Sequence, residues 1–133
     1  MVDEDEELRA IAQDLLARVH AEGRHEVAAA LRTTSGRVHT GVHLAASARR
    51  PSICAEGVAL GAALATEGLL DVEAIVAVQY KPAGVFRLIA PCGDCRELIS
   101  DHCPDARVYV WDEGAERAVH ALELLPFKTR RRW

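Results

Sequence analysis

The sequence is short of aromatic residues: two Trp, two Tyr and two Phe, 5% in all, leave no basis for a core built on large rings. Ala, Val and Leu dominate instead, and small and branched aliphatics suit alternating helix and strand. An excess of positive charge is missing too. With a formal net charge of −4, the chain as a whole has no pull toward a polyanion, which disfavours a polynucleotide partner. No apolar run comes near the roughly 20 residues that span a bilayer, so no membrane segment is expected. The start, Met1-Val2-Asp3-Glu4-Asp5-Glu6-Glu7, is acidic where a secretory or mitochondrial leader would be basic, and a cytoplasmic location is expected. Repeats, low-complexity blocks and linkers are absent as well. At 133 residues, 50% of them hydrophobic and 27% charged, the chain fits one soluble domain over 1–133 better than two.

What the chain does have is four cysteines, three of them in a chemically telling arrangement. A cytoplasmic setting and the Cys92-x-x-Cys95 spacing argue against two disulfides and for metal binding or redox chemistry. On the first turn of a helix, two thiols so spaced can face one ion. Upstream, Cys54-Ala55-Glu56 adds a third thiolate, with a carboxylate two residues on. Together they read as a catalytic zinc site: Cys54, Cys92 and Cys95 as ligands, one position left to water, and Glu56 beside it to move protons.

Each residue also has a plainer use. Glu56 could be a helix-start carboxylate that complements the dipole, and a Cys-x-x-Cys alone is shared by redox and structural zinc proteins. Arg96, next to Cys95, could donate hydrogen bonds to the sulfurs or be an ordinary exposed helix arginine. Pro91 fixes the approach to the helix start, and Gly93 permits close backbone passage by the ion. Cys103, in His102-Cys103-Pro104, lies outside the pattern and reads as a spare, partly buried thiol.

Apolar positions at Leu8, Ile11, Leu15, Leu16 and Val19 predict an amphipathic helix over 4–22, ended by Gly23, with a solvated acidic first turn. Strands over 25–34 and 37–44 follow, joined by the turn residues Thr33-Thr34-Ser35-Gly36. Residues 45–52 lack an apolar period and form a loop carrying Arg49 and Arg50. The stretch 53–67 is apolar nearly all round and predicts a buried helix, stopped by Gly68. Residues 72–80 read as a strand covered on both faces, Lys81-Pro82-Ala83-Gly84 as a turn, and 86–89 as a further piece of sheet. A helix over 92–102, a strand over 107–111 and a turn over 112–114 come next. The last segment, 118–125, is expected to be a strand passing into a short helix at 122–125. This order predicts an α/β fold, a mixed sheet between helices, with both cysteine stretches converging at helix starts.

Cys54-Ala55-Glu56 with Pro91-Cys92-Gly93-Asp94-Cys95-Arg96 resembles the signature of the zinc-dependent cytidine deaminase superfamily, in the three-cysteine form of its small tetrameric members. Ser35-Gly36-Arg37-Val38-His39-Thr40-Gly41-Val42 is similar to that family's hairpin, and Glu123-Leu124-Leu125-Pro126 to its C-terminal element. Thr40-Gly41-Val42 and the short spacing look more like the blasticidin S deaminase branch than like ordinary cytidine deaminases. The resemblance implies a three-layer α/β/α fold around a mixed five-stranded sheet. It also implies Zn2+ held by Cys54, Cys92 and Cys95, Glu56 as proton shuttle, a homotetramer with shared active sites, and hydrolysis of the amine of a small cytosine-containing substrate.

The sequence departs from the family where substrate is held. An asparagine and, two residues on, a glutamate that bind the ribose are replaced by His43 and Ala45, and a hydrophobic Phe-Pro-Val-Gly stretch by His25-Glu26-Val27-Ala28. His43 and Ala55 are the candidate substrate contacts. Arg49 and Arg50 would meet a carboxylate or phosphate of the ligand, contact a neighbouring subunit, or stand as a solvated loop pair. The basic and aromatic tail, 127–133, is expected to pack on a neighbouring subunit or cover a pocket. The altered positions also keep a second reading in play, a zinc-stabilised binding or structural protein of the same fold without turnover.

Overall fold

The computed structural model of the chain describes residues 1–80 and 84–133. The turn expected at Lys81-Pro82-Ala83-Gly84 therefore lies outside the described residues, except for Gly84. Helix α1, Asp3–Val19, buries Leu8, Ala12 and Leu16 along one stripe and ends before Gly23. Strands β1, Val27–Thr33, and β2, Val38–Val42, form the expected hairpin. Helix α2, Ala55–Glu67, is closed by Gly68 in the left-handed conformation, whose N–H bonds the Leu64 carbonyl. Then come β3, Val72–Tyr80, β4, Phe86–Ile89, and helix α3, Gly93–His102. The chain finishes with β5, Arg107–Asp112, β6, Ala115–His120, and a 3-10 turn, Ala121–Leu124. Among the described residues no helix is long and apolar enough to cross a membrane.

Among the described residues the sheet is mixed and has six strands, in the order β2-β1-β3-β5-β6, with β4 also paired to β3. One side of β3 is shared: Ala74 and Ile75 pair in parallel with β5, while residues 77–80 pair antiparallel with β4. The α/β/α layering follows the sequence expectation, but the strand count is six rather than five. The last strand begins at Ala115 rather than at the expected 118, because β6 lies along β5 in a register running from Asp112↔Ala115 to Arg107↔His120.

Alternating strand residues feed two cores. Ala28, Ala30, Val76 and Val78 meet α1, and Ala29, Leu31, Ile75 and Ala77 meet α2 and α3. Because α2 lies on one face of the sheet, it buries one side only; Leu64 on its outer side is exposed. Its apolar sequence had predicted burial all round.

Asp5 overturns the expectation of a solvated acidic turn. Its carboxylate is fully buried and accepts hydrogen bonds from Arg32 Nη2 of β1 at 2.6 Å, Arg107 Nε of β5 at 3.0 Å, and the Tyr109 hydroxyl. Burial alone would raise its pKa. The bonds from Arg107, Tyr109 and Arg32 outweigh that and hold it below the ordinary carboxylate range. One charged cluster thus pins the first turn of α1 to two strands.

Gly41 fixes how deeply α2 sits. A Cβ there would lie 2.4 Å from the Ala55 carbonyl oxygen and 2.5 Å from the Ala59 nitrogen, backbone atoms that cannot swing aside. Only glycine lets strand and helix start come this close. Gly41→Ala is expected to cost about 1–3 kcal/mol through overpacking, read as a lower denaturant midpoint. An unchanged midpoint would show that α2 moves freely over β2.

Candidate active site and metal centre

The fold brings the two cysteine-bearing helix starts together. Cys54 is the N-cap of α2 and Cys92 the N-cap of α3, each with extended backbone and no side-chain cap bond. Cys95 lies in the first turn of α3 and is buried. The three sulfurs lie within 4.8 Å of one another, Cys54 Sγ being 3.2 Å from Cys92 Sγ. A tetrahedral zinc holding thiolates at about 2.3 Å would set its sulfurs about 3.8 Å apart, so this donor set fits the ion.

Its chemistry fits as well. All three are free thiols. Burial pushes Cys54 up to about 11 and pushes Cys95 up too, helped there by the charges of Glu56 and Cys92. Sulfurs so placed carry negative charge most readily around a cation, with the positive ends of two helices adding support. Cys103 stands apart, a buried thiol raised to about 11 by burial.

A cavity of about 290 Å³ opens beside the cluster. Its helix side is made by Cys54, Ala55, Glu56 and Cys92, and β4 closes another side with Ile89 and Ala90. Glu56, in the first turn of α2, is 4% exposed, and burial raises its pKa. The strand ends supply the remaining wall: Glu26 and Val27 beside β1, His43 after β2, and Gln79 of β3. Sheet pairing places them, since Val27 is the register partner of Gln79 and His43 N–H donates to the Val27 carbonyl at 2.9 Å. The Nδ1 atom of His43 is buried without a partner among the described residues. Its carbonyl accepts from His25 Nδ1 at 3.0 Å, fixing the backbone at this corner.

Of the residues singled out in the sequence, Cys54, Ala55, Glu56, Cys92 and His43 line this one cavity, and Cys95 completes the sulfur cluster. Arg96 points elsewhere: its Nε–H donates to the Pro91 carbonyl at 2.9 Å, and it lines a separate cleft with Trp111 and Glu123. It therefore ties down the loop ahead of Cys92. Arg49 and Arg50 sit on an exposed loop outside the cavity lining. In the tail, Lys128 Nζ donates to Ser100 Oγ and Asp101 Oδ1, both at 2.8 Å, and Trp133 stacks on His102. The tail thus packs along α3 of its own chain.

Two polar lining residues, Glu26 and Gln79, escaped the sequence reading as contacts. Gln79 did carry a signal, as a polar residue directly after the apolar run Ala74 to Val78 of the strand. Glu26 lay within the stretch already marked as a departure at the pocket.

Comparison with known proteins agrees with this geometry. Residues 2–111 match the family profile described as the cytidine and deoxycytidylate deaminase zinc-binding region. The chain is 36% identical over 132 residues to a blasticidin-S deaminase of Bacillus cereus, covering 96% of this chain and 94% of that one. It is also 36% identical over 105 residues to a cytidine deaminase of Halalkalibacterium halodurans, covering 77% and 76%. Among solved structures, cytidine deaminase from Burkholderia pseudomallei superposes with a TM-score of 0.76 at 28% identity, over 97% of this chain and 100% of that chain. The Mycobacterium tuberculosis cytidine deaminase gives 0.75 at 26% identity, over 96% and 97%.

Proposed function

The chain belongs to the cytidine and deoxycytidylate deaminase family, and on that footing we propose that it hydrolyses the ring amine of a small cytosine nucleoside or nucleoside analogue, giving the uracil-type product and ammonia. The observation that carries this reading is a buried carboxyl, Glu56, lining a ligand-sized cavity beside three clustered thiols. Zinc, held by Cys54, Cys92 and Cys95, supplies when bound the Lewis-acid chemistry that makes water nucleophilic near neutral pH.

Glu56 carries the protons. Burial strengthens its hold on a proton, so it can accept one from the attacking water, pass it to the ring nitrogen, and then help protonate the departing amine. One C–O bond forms, one C–N bond breaks, and ammonia leaves. Ala55 borders the cavity with a side chain small enough to leave room for a ring, and the free Nδ1 of His43 offers a hydrogen bond to the substituent on that ring. Arg96 acts on the metal loop from behind, through Pro91. A cavity of about 290 Å³ suits one small molecule better than a strand.

The same proposal includes a cytoplasmic homotetramer. An apolar groove of about 480 Å³ between α2 and α3, lined by Leu60, Leu64, Leu70 and Leu98 among others, supports contact with further copies.

Purified protein is expected to carry about one zinc per chain and to weigh four chains by light scattering. It should release ammonia from at least one of cytidine, deoxycytidine and blasticidin S. The activity should vanish on chelation and return with zinc. Zinc-loaded protein inert to the whole panel would leave a binding protein of the same fold. Metal-free protein with a reversible Cys92–Cys95 disulfide would overturn the zinc assignment itself.

A further inference from the structure

Among the described residues the wall formed by the strand ends carries charge of one sign only, that of Glu26. Glu26 and Glu56 line the cavity, and among the described residues no Lys or Arg does. Glu26 uses Oε1 to accept the Gly23 N–H at 3.1 Å, and Oε2 has no partner among the described residues. Beside it, the Gln79 amide and the unpartnered His43 Nδ1 offer hydrogen bonds without supplying a lysine or arginine charge. Among the described residues, strand register brings Arg87 nearby, opposite Gln79 on β4. It is exposed and outside the lining, where water and salt screen it.

A substituent entering this wall loses water and meets a carboxylate in a half-enclosed site, where charge acts more strongly than in bulk solvent. From this we infer that Glu26 is a specificity-determining residue: it selects cytosine compounds whose substituent is positively charged or rich in hydroxyl donors, and excludes phosphorylated ones. The inference rests on the deaminase reading given above. It adds a rejecting element to the site, since discrimination comes from like-charge repulsion as much as from attraction.

The test compares cytidine, cytidine 5′-monophosphate and 5′-amino-5′-deoxycytidine with the zinc-loaded protein and its Glu26→Gln and Glu26→Arg variants. Glutamine can still accept the Gly23 N–H through its side-chain carbonyl, so the local turn is kept. The unsubstituted protein is expected to favour the amine over cytidine and to disfavour the monophosphate by about 100-fold in kcat/KM. Glu26→Gln should narrow the gap between cytidine and monophosphate by about tenfold, and Glu26→Arg should reverse the order of the two charged compounds. Added salt should compress the ranking in the unsubstituted protein, a reading that needs no variant. A monophosphate used as well as cytidine, or a ranking untouched by Glu26→Gln, would overturn the inference. Calorimetric binding of the same three compounds reads the preference without turnover. A protein that ranks them by charge but deaminates none would overturn the enzyme reading and leave this one standing.

Discussion

A Glu56→Ala variant is expected to deaminate cytosine nucleosides about 10⁴-fold more slowly than the unsubstituted protein while still binding about one zinc per chain. The size follows from the work assigned to one group. General acid and base contributions run from about 10² to 10⁴, and Glu56 is asked to move protons both at the attack of water and at the loss of ammonia. Because its side chain is almost entirely buried, alanine also opens a hole beside the thiols. Glu56→Gln controls for that: it keeps the volume but cannot carry the proton. Both variants should fail together in steady-state assays, with metal analysis alongside. A glutamine variant that retains more than about a tenth of the rate would move the proton work to another group. An alanine variant without zinc would make Glu56 part of the metal centre rather than its neighbour.

The second large effect is on stability. Asp5→Ala should lower the unfolding free energy by about 3 kcal/mol, because it leaves Arg32 and Arg107 facing a hole where their shared carboxylate stood. Three is the low end of the usual range for such a loss. Arg107 is 33% exposed and can recover some hydration.

The same cluster sets a pH dependence. Asp5 is held below the ordinary carboxylate range in the folded protein, so acid protonates the unfolded chain first. Its stabilisation is present above about pH 4 and is lost as the pH falls through the lower, folded value. Asp101, lowered by its bond from Lys128, and Glu67, lowered by bonds from Ser35 and His39, act in the same direction. The variant should therefore show a shallower acid limb than the unsubstituted protein, measured as denaturant midpoint against pH. Equal limbs would mean that the two arginines are satisfied without Asp5.

The sequence made the reaction chemistry easier to read than the substrate wall, for a physical reason. Cys54 and Glu56 share one helix start, and Cys92 and Cys95 another, so each half of the metal-site motif is local in the chain. Likewise the middle of β3 was legible because a strand covered on both faces reads as a continuous apolar run, here Ala74 to Val78. Glu26 and Gln79, by contrast, become neighbours only through the pairing of β1 with β3. Asp5 is similar: its partners Arg32 and Arg107 lie 27 and 102 residues away, and nothing in a run of acidic residues says which one will be buried. The outer face of α2 was misjudged because composition reports how apolar a helix is, not how many neighbours it has.

β6 has a consequence for how copies of the chain meet. Without it, β5 would present an open row of peptide groups on a strand whose Val108, Tyr109 and Val110 are buried, a template onto which another chain could add. β6 occupies that row, and it carries charge of its own in Glu116 and Arg117. Glu116 pairs with Arg9 of α1, and Arg117 pairs with Asp112 at 3.1 Å. An incoming strand would have to strip water from these ion pairs before making a single backbone bond. The last strand therefore protects this side of the sheet from edge-to-edge aggregation.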